Sequence, residues 1–161
     1  MLKVGEKVKD FTLKNKRGED VKLSEVAKKY TVIFFYPKNN TIGCTKEACS
    51  FNELKNEYDE EEIALIGIST DSSSSHMNFS RQYSLDLILL SDADKKVSKY
   101  FNVINYETKT ERAKRVTFIL DSDLKVIYRY DKVKPATHGY DVLKRIKERN
   151  FKAWGVFKWD W

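Results

Sequence analysis

Two short runs, Thr31-Val32-Ile33-Phe34-Phe35-Tyr36 and Ile63-Ala64-Leu65-Ile66-Gly67-Ile68-Ser69, are apolar at nearly every position. A strand that shows no polar face has to be covered on both sides, which places these two in the interior of a sheet rather than at its edge. Between them, Ala48, Phe51, Leu54 and Tyr58 fall at helical spacing over residues 44–59. Strand, helix and strand in that order make a βαβ unit, so the chain commits early to a sheet with helices on its faces.

The remaining segments extend that unit. Val4, Val8, Phe11, Leu13, Val21 and Leu23 alternate weakly and predict a short hairpin or two edge strands around Lys16-Arg17-Gly18-Glu19. Ser24 is a good N-cap for a short helix through Tyr30. Asp71 to Ser75 supply caps for a helix through Tyr83, and Leu85, Leu87, Leu89 and Leu90 form a short strand ending at Ser91-Asp92. A helix from Asp92 to Phe101 follows, then a hairpin of 115–121 and 125–130 closed at Asp121-Ser122-Asp123, then a helix over about 138–150. The expected class is α/β with a central mixed β-sheet flanked by helices, the architecture of a thioredoxin-like fold.

The chain of 161 residues suits one domain, assigned to 1–150. Beyond it, residues 151–161 carry Phe151, Trp154, Phe157, Trp159 and Trp161, an aromatic tail expected to pack back on the domain. The sharper alternative is a partner surface or a dimer contact, and monomer and homodimer both stay open. Thirty basic and 24 acidic residues give a net charge of +6, but the two signs are interleaved. Nucleic-acid binding calls for a basic stripe with aromatics inside it, and the best candidate, Lys144, Arg145, Lys147, Arg149 and Lys152, is interrupted by Glu148. No apolar run approaches the roughly 18 residues of a membrane span, and Met1-Leu2-Lys3-Val4-Gly5-Glu6-Lys7 has no signal-peptide core. No nucleic acid and no membrane are expected as partners, and the cytoplasm is the expected compartment.

The two cysteines, Cys44 and Cys49, lie five residues apart, just after the first apolar run and a turn-rich loop. Cys44 then opens what reads as a helix, where the positive end of the dipole favours a thiolate over a thiol. That reads as a nucleophile. Metal binding is not expected: Cys-x4-Cys is not a zinc spacing, and His76 and His138 stand far from the cysteines in sequence, where caps or packing are the ordinary roles.

The segment from Pro37 through Thr41 and Cys44 to Cys49 resembles the active site of peroxiredoxins, in particular the bacterioferritin-comigratory or Q subfamily. That family shows Pro, three residues, Thr, two residues and the peroxidatic cysteine, and many members carry a resolving cysteine five residues later. The likeness continues through Gly67-Ile68-Ser69-Thr70-Asp71, Leu90-Ser91-Asp92, Arg115 to Asp121 and Val133 to Leu143, over about residues 3–148. The chain departs from the pattern at Asn39 and Asn40, often acidic in the family, at Ile42, often proline, and at Lys9-Asp10, often Ala-Pro.

The resemblance implies a thiol-dependent peroxidase that needs no metal and no organic cofactor. Cys44 is then the nucleophile and Cys49 the resolver, re-reduced by a thioredoxin-like disulfide reductant. Peroxide cleavage needs a stabilised thiolate and donors for the leaving oxygen, and the residues available fit those needs. Arg115 donates to sulfur and peroxide while keeping its charge, Thr41 places a hydroxyl against both, and Pro37 shields the site. Glu47 suits the first helical turn, with a contact to the arginine as a secondary role. Residues i and i+5 of a helix lie about 8–9 Å apart at Cα, beyond the roughly 7 Å a disulfide spans, so residues 41–50 are expected to unwind on oxidation. The alternative from another class is a redox-switched binding or chaperone module with incidental peroxide reactivity.

Overall fold

Strand β3 (Tyr30–Phe35) runs parallel to β4 (Ile63–Ser69), with Tyr30 opposite Ile63 and Phe35 opposite Ile68. On its other side it runs antiparallel to β6 (Val116–Leu120), with Phe35 opposite Val116. The sheet continues outward through β5 (Ile88–Ser91), β1 (Thr12–Asn15) and β2 (Asp20–Lys22) on one flank and β7 (Val126–Tyr130) on the other. Its order is β2-β1-β5-β4-β3-β6-β7, with β5 parallel to β4 and the two hairpins antiparallel. These are the strands of the computed structural model, which describes residues 1–152. The mixed α/β sheet expected from the sequence is there, and the two apolar runs are neighbouring central strands.

Side chains alternate across a strand, and β3 shows the consequence. Val32, Phe34 and Tyr36 face one core, with Phe51 of α2 (Ile42–Asn52), Tyr58 of α3 (Lys55–Glu60), Phe79 of α4 (Ser73–Tyr83) and Val142 and Ile146 of α6 (His138–Glu148). Ile33 and Phe35 face the other core, with Leu23 of α1 (Leu23–Val26) and Val97 and Phe101 of α5 (Lys96–Phe101). Gly67 lets the first core close: a Cβ there would stand 2.7 Å from the Phe34 ring, which stacks on Phe51 at 4.5 Å between centroids. No helix among the described residues is long and apolar enough to cross a membrane.

The structure departs from the sequence reading at several helix ends. The helix expected over 44–59 starts at Ile42 and breaks at Glu53–Leu54 into α2 and α3. Cys44 is therefore the third residue of α2 rather than its first. Ser24 caps nothing: its hydroxyl donates to Asp10 Oδ2 at 2.6 Å, and α1 has Lys22 at its N-cap position and ends at Val26. Helix α5 starts at Lys96, not Asp92, because the buried Asp92 carboxylate accepts from the amides of Val97 and Ser98 and so sits ahead of the helix. Of the aromatic tail, Phe151 meets the Tyr30 ring at 5.8 Å between centroids. Trp154, Phe157, Trp159 and Trp161 lie outside the described residues.

Candidate active site

The site forms where β3 ends and β6 begins. Because the two strands are antiparallel, the exit of β3 toward α2 lies beside the residue that leads into β6, which is Arg115. Arg115 has the same strand parity as Thr117 and Ile119, and Ile119 belongs to the core that α2 covers. The guanidinium is thus presented to the first turn of α2. Thr45 N–H donates to Thr41 C=O at 2.9 Å, the first bond of that helix. The amides of residues 42–44 have no acceptor within a helix that starts there, and they point toward its N-terminal end.

Arg115 Nη2 donates to Cys44 Sγ at 3.3 Å, and Nη1 to Glu47 Oε1 at 2.7 Å. Cys44 is 1% exposed and Glu47 is fully buried. Burial pushes the Glu47 carboxyl up to about 7 against the pull of Arg115. Burial also opposes the charge of Arg115, yet Glu47 and Cys44 hold the guanidinium above its ordinary value. Behind Glu47 stands His138, whose Nε2 is 3.9 Å from Oε2 and 2.8 Å from the Thr117 hydroxyl. Burial, with Arg115 nearby, pushes His138 down to about 3, so the imidazole is neutral at ordinary pH. Oε2 of Glu47 accepts no hydrogen bond, which makes it an orphaned buried oxygen beside that ring.

Gly43 makes the arginine–sulfur approach feasible. A Cβ at this position would stand 2.9 Å from Arg115 Nη2 and 3.9 Å from Pro135 Cγ. Pro37 is half-buried just beyond β3, and Thr41 is exposed at the N-cap position. The Thr41 hydroxyl donates to Lys38 C=O at 3.0 Å, which leaves its oxygen lone pairs to accept. Cys44 and Cys49 are both thiols on one helix. Burial, and after it the Glu53 carboxylate, push the Cys49 thiol up.

A profile described as the AhpC/TSA family matches residues 4–129. The peroxiredoxin Bcp of Bacillus subtilis is 35% identical over 155 residues, covering 94% of this chain and 99% of its own. The solved peroxidoxin BcpB of Mycobacterium tuberculosis superposes with a TM-score of 0.84 at 34% identity, covering 92% of this chain and 98% of its own. The chain belongs to the peroxiredoxins. A third relative, the Xanthomonas campestris bacterioferritin comigratory protein solved for its alkyl peroxide reduction activity, has a TM-score of 0.79 at 34% identity over 86% of this chain and 91% of its own. As a peroxiredoxin of the Bcp/Q type the protein is a thiol-dependent peroxidase.

The structure brings Cys44 and Arg115 into contact and adds groups to this peroxiredoxin site that sequence reasoning left in the background. Glu47 was expected in the first helical turn, but α2 starts at Ile42 and puts it in the second; its contact to Arg115, expected as a secondary role, is there, while its complete burial gave no signal. His138 and Gly43 gave no local signal, since each is defined by what the fold places opposite it. Asn39, noted only as a departure from the family pattern, is 3% exposed and bonded on all sides.

Proposed function

We propose that Cys44 attacks the peroxide as the thiolate, with Arg115, Thr41 and Pro37 shaping the site and Cys49 resolving the product. The Arg115 Nη2 to Cys44 Sγ contact of 3.3 Å carries this reading. It sets a permanent cation against the sulfur at the end of α2 where the helix dipole is positive. Sulfur takes the terminal peroxide oxygen, the O–O bond breaks, and the alkoxide or hydroxide that leaves is met by oriented donors before it picks up a proton. The Thr41 oxygen, free to accept, orients the peroxide hydrogen. Pro37 excludes water from one side.

Cys44 is left as the sulfenic acid. The Cys49 sulfur then attacks it, a disulfide forms, and water leaves. In an intact helix the two Cα atoms stand about 8–9 Å apart, so α2 unwinds over residues 41–50 for the bond to close. Helix α2 suits such opening: Gly43, Thr45, Cys44, Cys49 and Ser50 are poor helix formers, and its N-cap Thr41 makes no side-chain cap bond. A thioredoxin-like dithiol in the cytoplasm returns the disulfide to two thiols. The substrates are hydrogen peroxide and organic hydroperoxides, the latter in keeping with the alkyl peroxide activity named for the Xanthomonas relative.

Peroxide consumption coupled to thioredoxin and its reductase tests the cycle. Wild type should turn over, Cys44→Ser should not, and Cys49→Ser should consume about one equivalent and stop. Equal turnover by Cys49→Ser and wild type would remove Cys49 from the cycle.

A further inference from the structure

The segment that has to open is held at both ends by asparagines whose bonds reach elements on the same side of the sheet. At the first end Asn39 is 3% exposed, yet its backbone N–H and both polar atoms of its side chain are engaged. Its amide N–H donates to Asp71 Oδ2 at 2.9 Å, and its Oδ1 accepts from the Tyr36 hydroxyl at 2.7 Å. Its Nδ2 reaches Ser75 Oγ and His76 Nδ1, each at 3.1 Å. The ring of His76 is orientated by Leu90 C=O, 3.0 Å from Nε2; a carbonyl only accepts, so Nε2 carries the hydrogen and Nδ1 is the acceptor Asn39 needs. Asp71 is held in turn by the Ser69 hydroxyl at 2.6 Å. The very next residue, Asn40, is exposed and has φ of +66°, a left-handed turn that asparagine tolerates and that marks where the path of the backbone changes.

At the second end Asn52, the last residue of α2, spans to the turn after α4. Its Nδ2 donates to Ser84 C=O at 3.1 Å, and its Oδ1 accepts from Asp86 N–H at 2.7 Å, as a peptide group in a sheet ladder does. The neighbouring Phe51 is fully buried against Phe34. Between the two asparagines the hydrogen bonds that leave the helix are few among the described residues: Arg115 to Cys44 and Glu47, and Gly139 N–H to Ser50 Oγ at 2.9 Å. Thr41, Ile42 and Lys46 are exposed, and apart from the Thr41 hydroxyl on the nearby Lys38 C=O they make no such tie among the described residues.

We propose that Asn39 and Asn52 are positioning residues for the redox cycle: they fix the two ends of the segment that unwinds for the Cys44–Cys49 disulfide. Opening then stops at both asparagines, the sheet and the rest of its two cores beyond Cys44 and Ala48 stay intact, and reduction returns Cys44 to the same place beside Arg115. This rests on the disulfide reading above. A buried hydrogen-bonded amide suits this work because truncation leaves several buried donors and acceptors unmet, so the anchor is costly to release. The intervening helix, with few such ties, opens first.

Hydrogen exchange on the reduced and disulfide forms, with intact mass to verify the bond, tests the proposal. In wild type, oxidation should lower protection by about tenfold or more across amides 41–50 and leave 34–39 and 52–58 unchanged. Asn39→Ala should extend the loss on oxidation into 36–39 and 71–76, and Asn52→Ala into 52–58 and 84–86. Re-reduced variants should also recover fast peroxide reaction more slowly than wild type, by about threefold or more, which a purely static loss of stability would not cause. Loss that runs past either asparagine in the wild type overturns the proposal, whether or not the variants fold. So do variants whose boundaries match wild type. A verified disulfide with amides 41–50 still protected would refute the opening of α2 as well. A chain that reacts without forming the bond would instead refute the disulfide reading itself.

Discussion

Arg115 serves two partners with one guanidinium, the Cys44 sulfur at 3.3 Å and the Glu47 carboxylate at 2.7 Å. Its planar fork holds both directions at once, which a lysine ammonium on a flexible stem does not. Arg115→Lys should therefore lower the second-order rate of Cys44 oxidation by about 10²-fold, in the range for loss of one oriented donor, as followed by rapid-mixing fluorescence or thiol trapping. Gly43→Ala should lower the same rate by about tenfold with little change in stability, because the new Cβ, 2.9 Å from Nη2, displaces the end of a side chain rather than backbone. Equal rates for Gly43→Ala and wild type would show that the arginine acts from elsewhere. At this scale the sequence was legible where placement is local: a thiol after an apolar run and a loop reads as one near a helix start, and Cys44 is the third residue of α2. The burial of Glu47 and the placing of His138 behind it, between the Phe51 and Tyr130 rings, were not legible, since both are properties of the assembled fold.

Helix α2 is weak by composition and strong by contact. Its close approach to α6 depends on Gly139, where a Cβ would come within 2.3 Å of Ser50 C=O. That neighbour is backbone, so the two helices would have to part. Gly139→Ala should destabilise the reduced protein by about 1–3 kcal/mol in denaturant unfolding and slow peroxide reaction as α2 shifts. An unchanged midpoint would contradict the packing described here. The limits of α2 illustrate why helix ends resist sequence reading: Thr41 stands at the N-cap position but its hydroxyl bonds Lys38 C=O instead of capping, and Ile42 and Gly43, which open the helix, are poor helix formers. The central strands, in contrast, were readable to within a residue, because a strand buried on both faces has no polar position to blur its ends.

For the whole molecule, three buried titratable groups set how stability depends on pH. His76 and His138 are pushed down to about 4 and about 3 from 6.5, so they charge only on unfolding, and stability rises with pH toward about 6.5. Glu47 is pushed up to about 7 from 4.5, so its contribution is complete below 4.5 and is lost as pH rises through about 7. Two histidines outweigh one carboxyl, so the wild-type denaturant midpoint should rise to a plateau near pH 7. Glu47→Gln should rise more steeply between about pH 4.5 and 7, where the opposing carboxyl is gone. Superimposable profiles would show that Glu47 is ionised in the folded protein throughout. The order of the elements, and hence the mixed sheet, was legible along the whole chain because each apolar run and each helical stripe marks its own element by its period. Cross-sheet neighbours such as β1 beside β5 were not, being set by where the connections lead.

The central claim is that Cys44 is the peroxide-reactive thiol and Cys49 its resolver on the same chain. Reduced protein mixed with one equivalent of hydrogen peroxide, followed by rapid thiol counting and intact mass, tests it most directly. Both thiols should disappear together into one internal disulfide, and Cys44→Ser should leave Cys49 reacting no faster than an ordinary thiol. A product holding sulfenic or over-oxidised Cys44 with Cys49 still a thiol would contradict the pairing, and slow reaction of both thiols would contradict the assignment of Cys44.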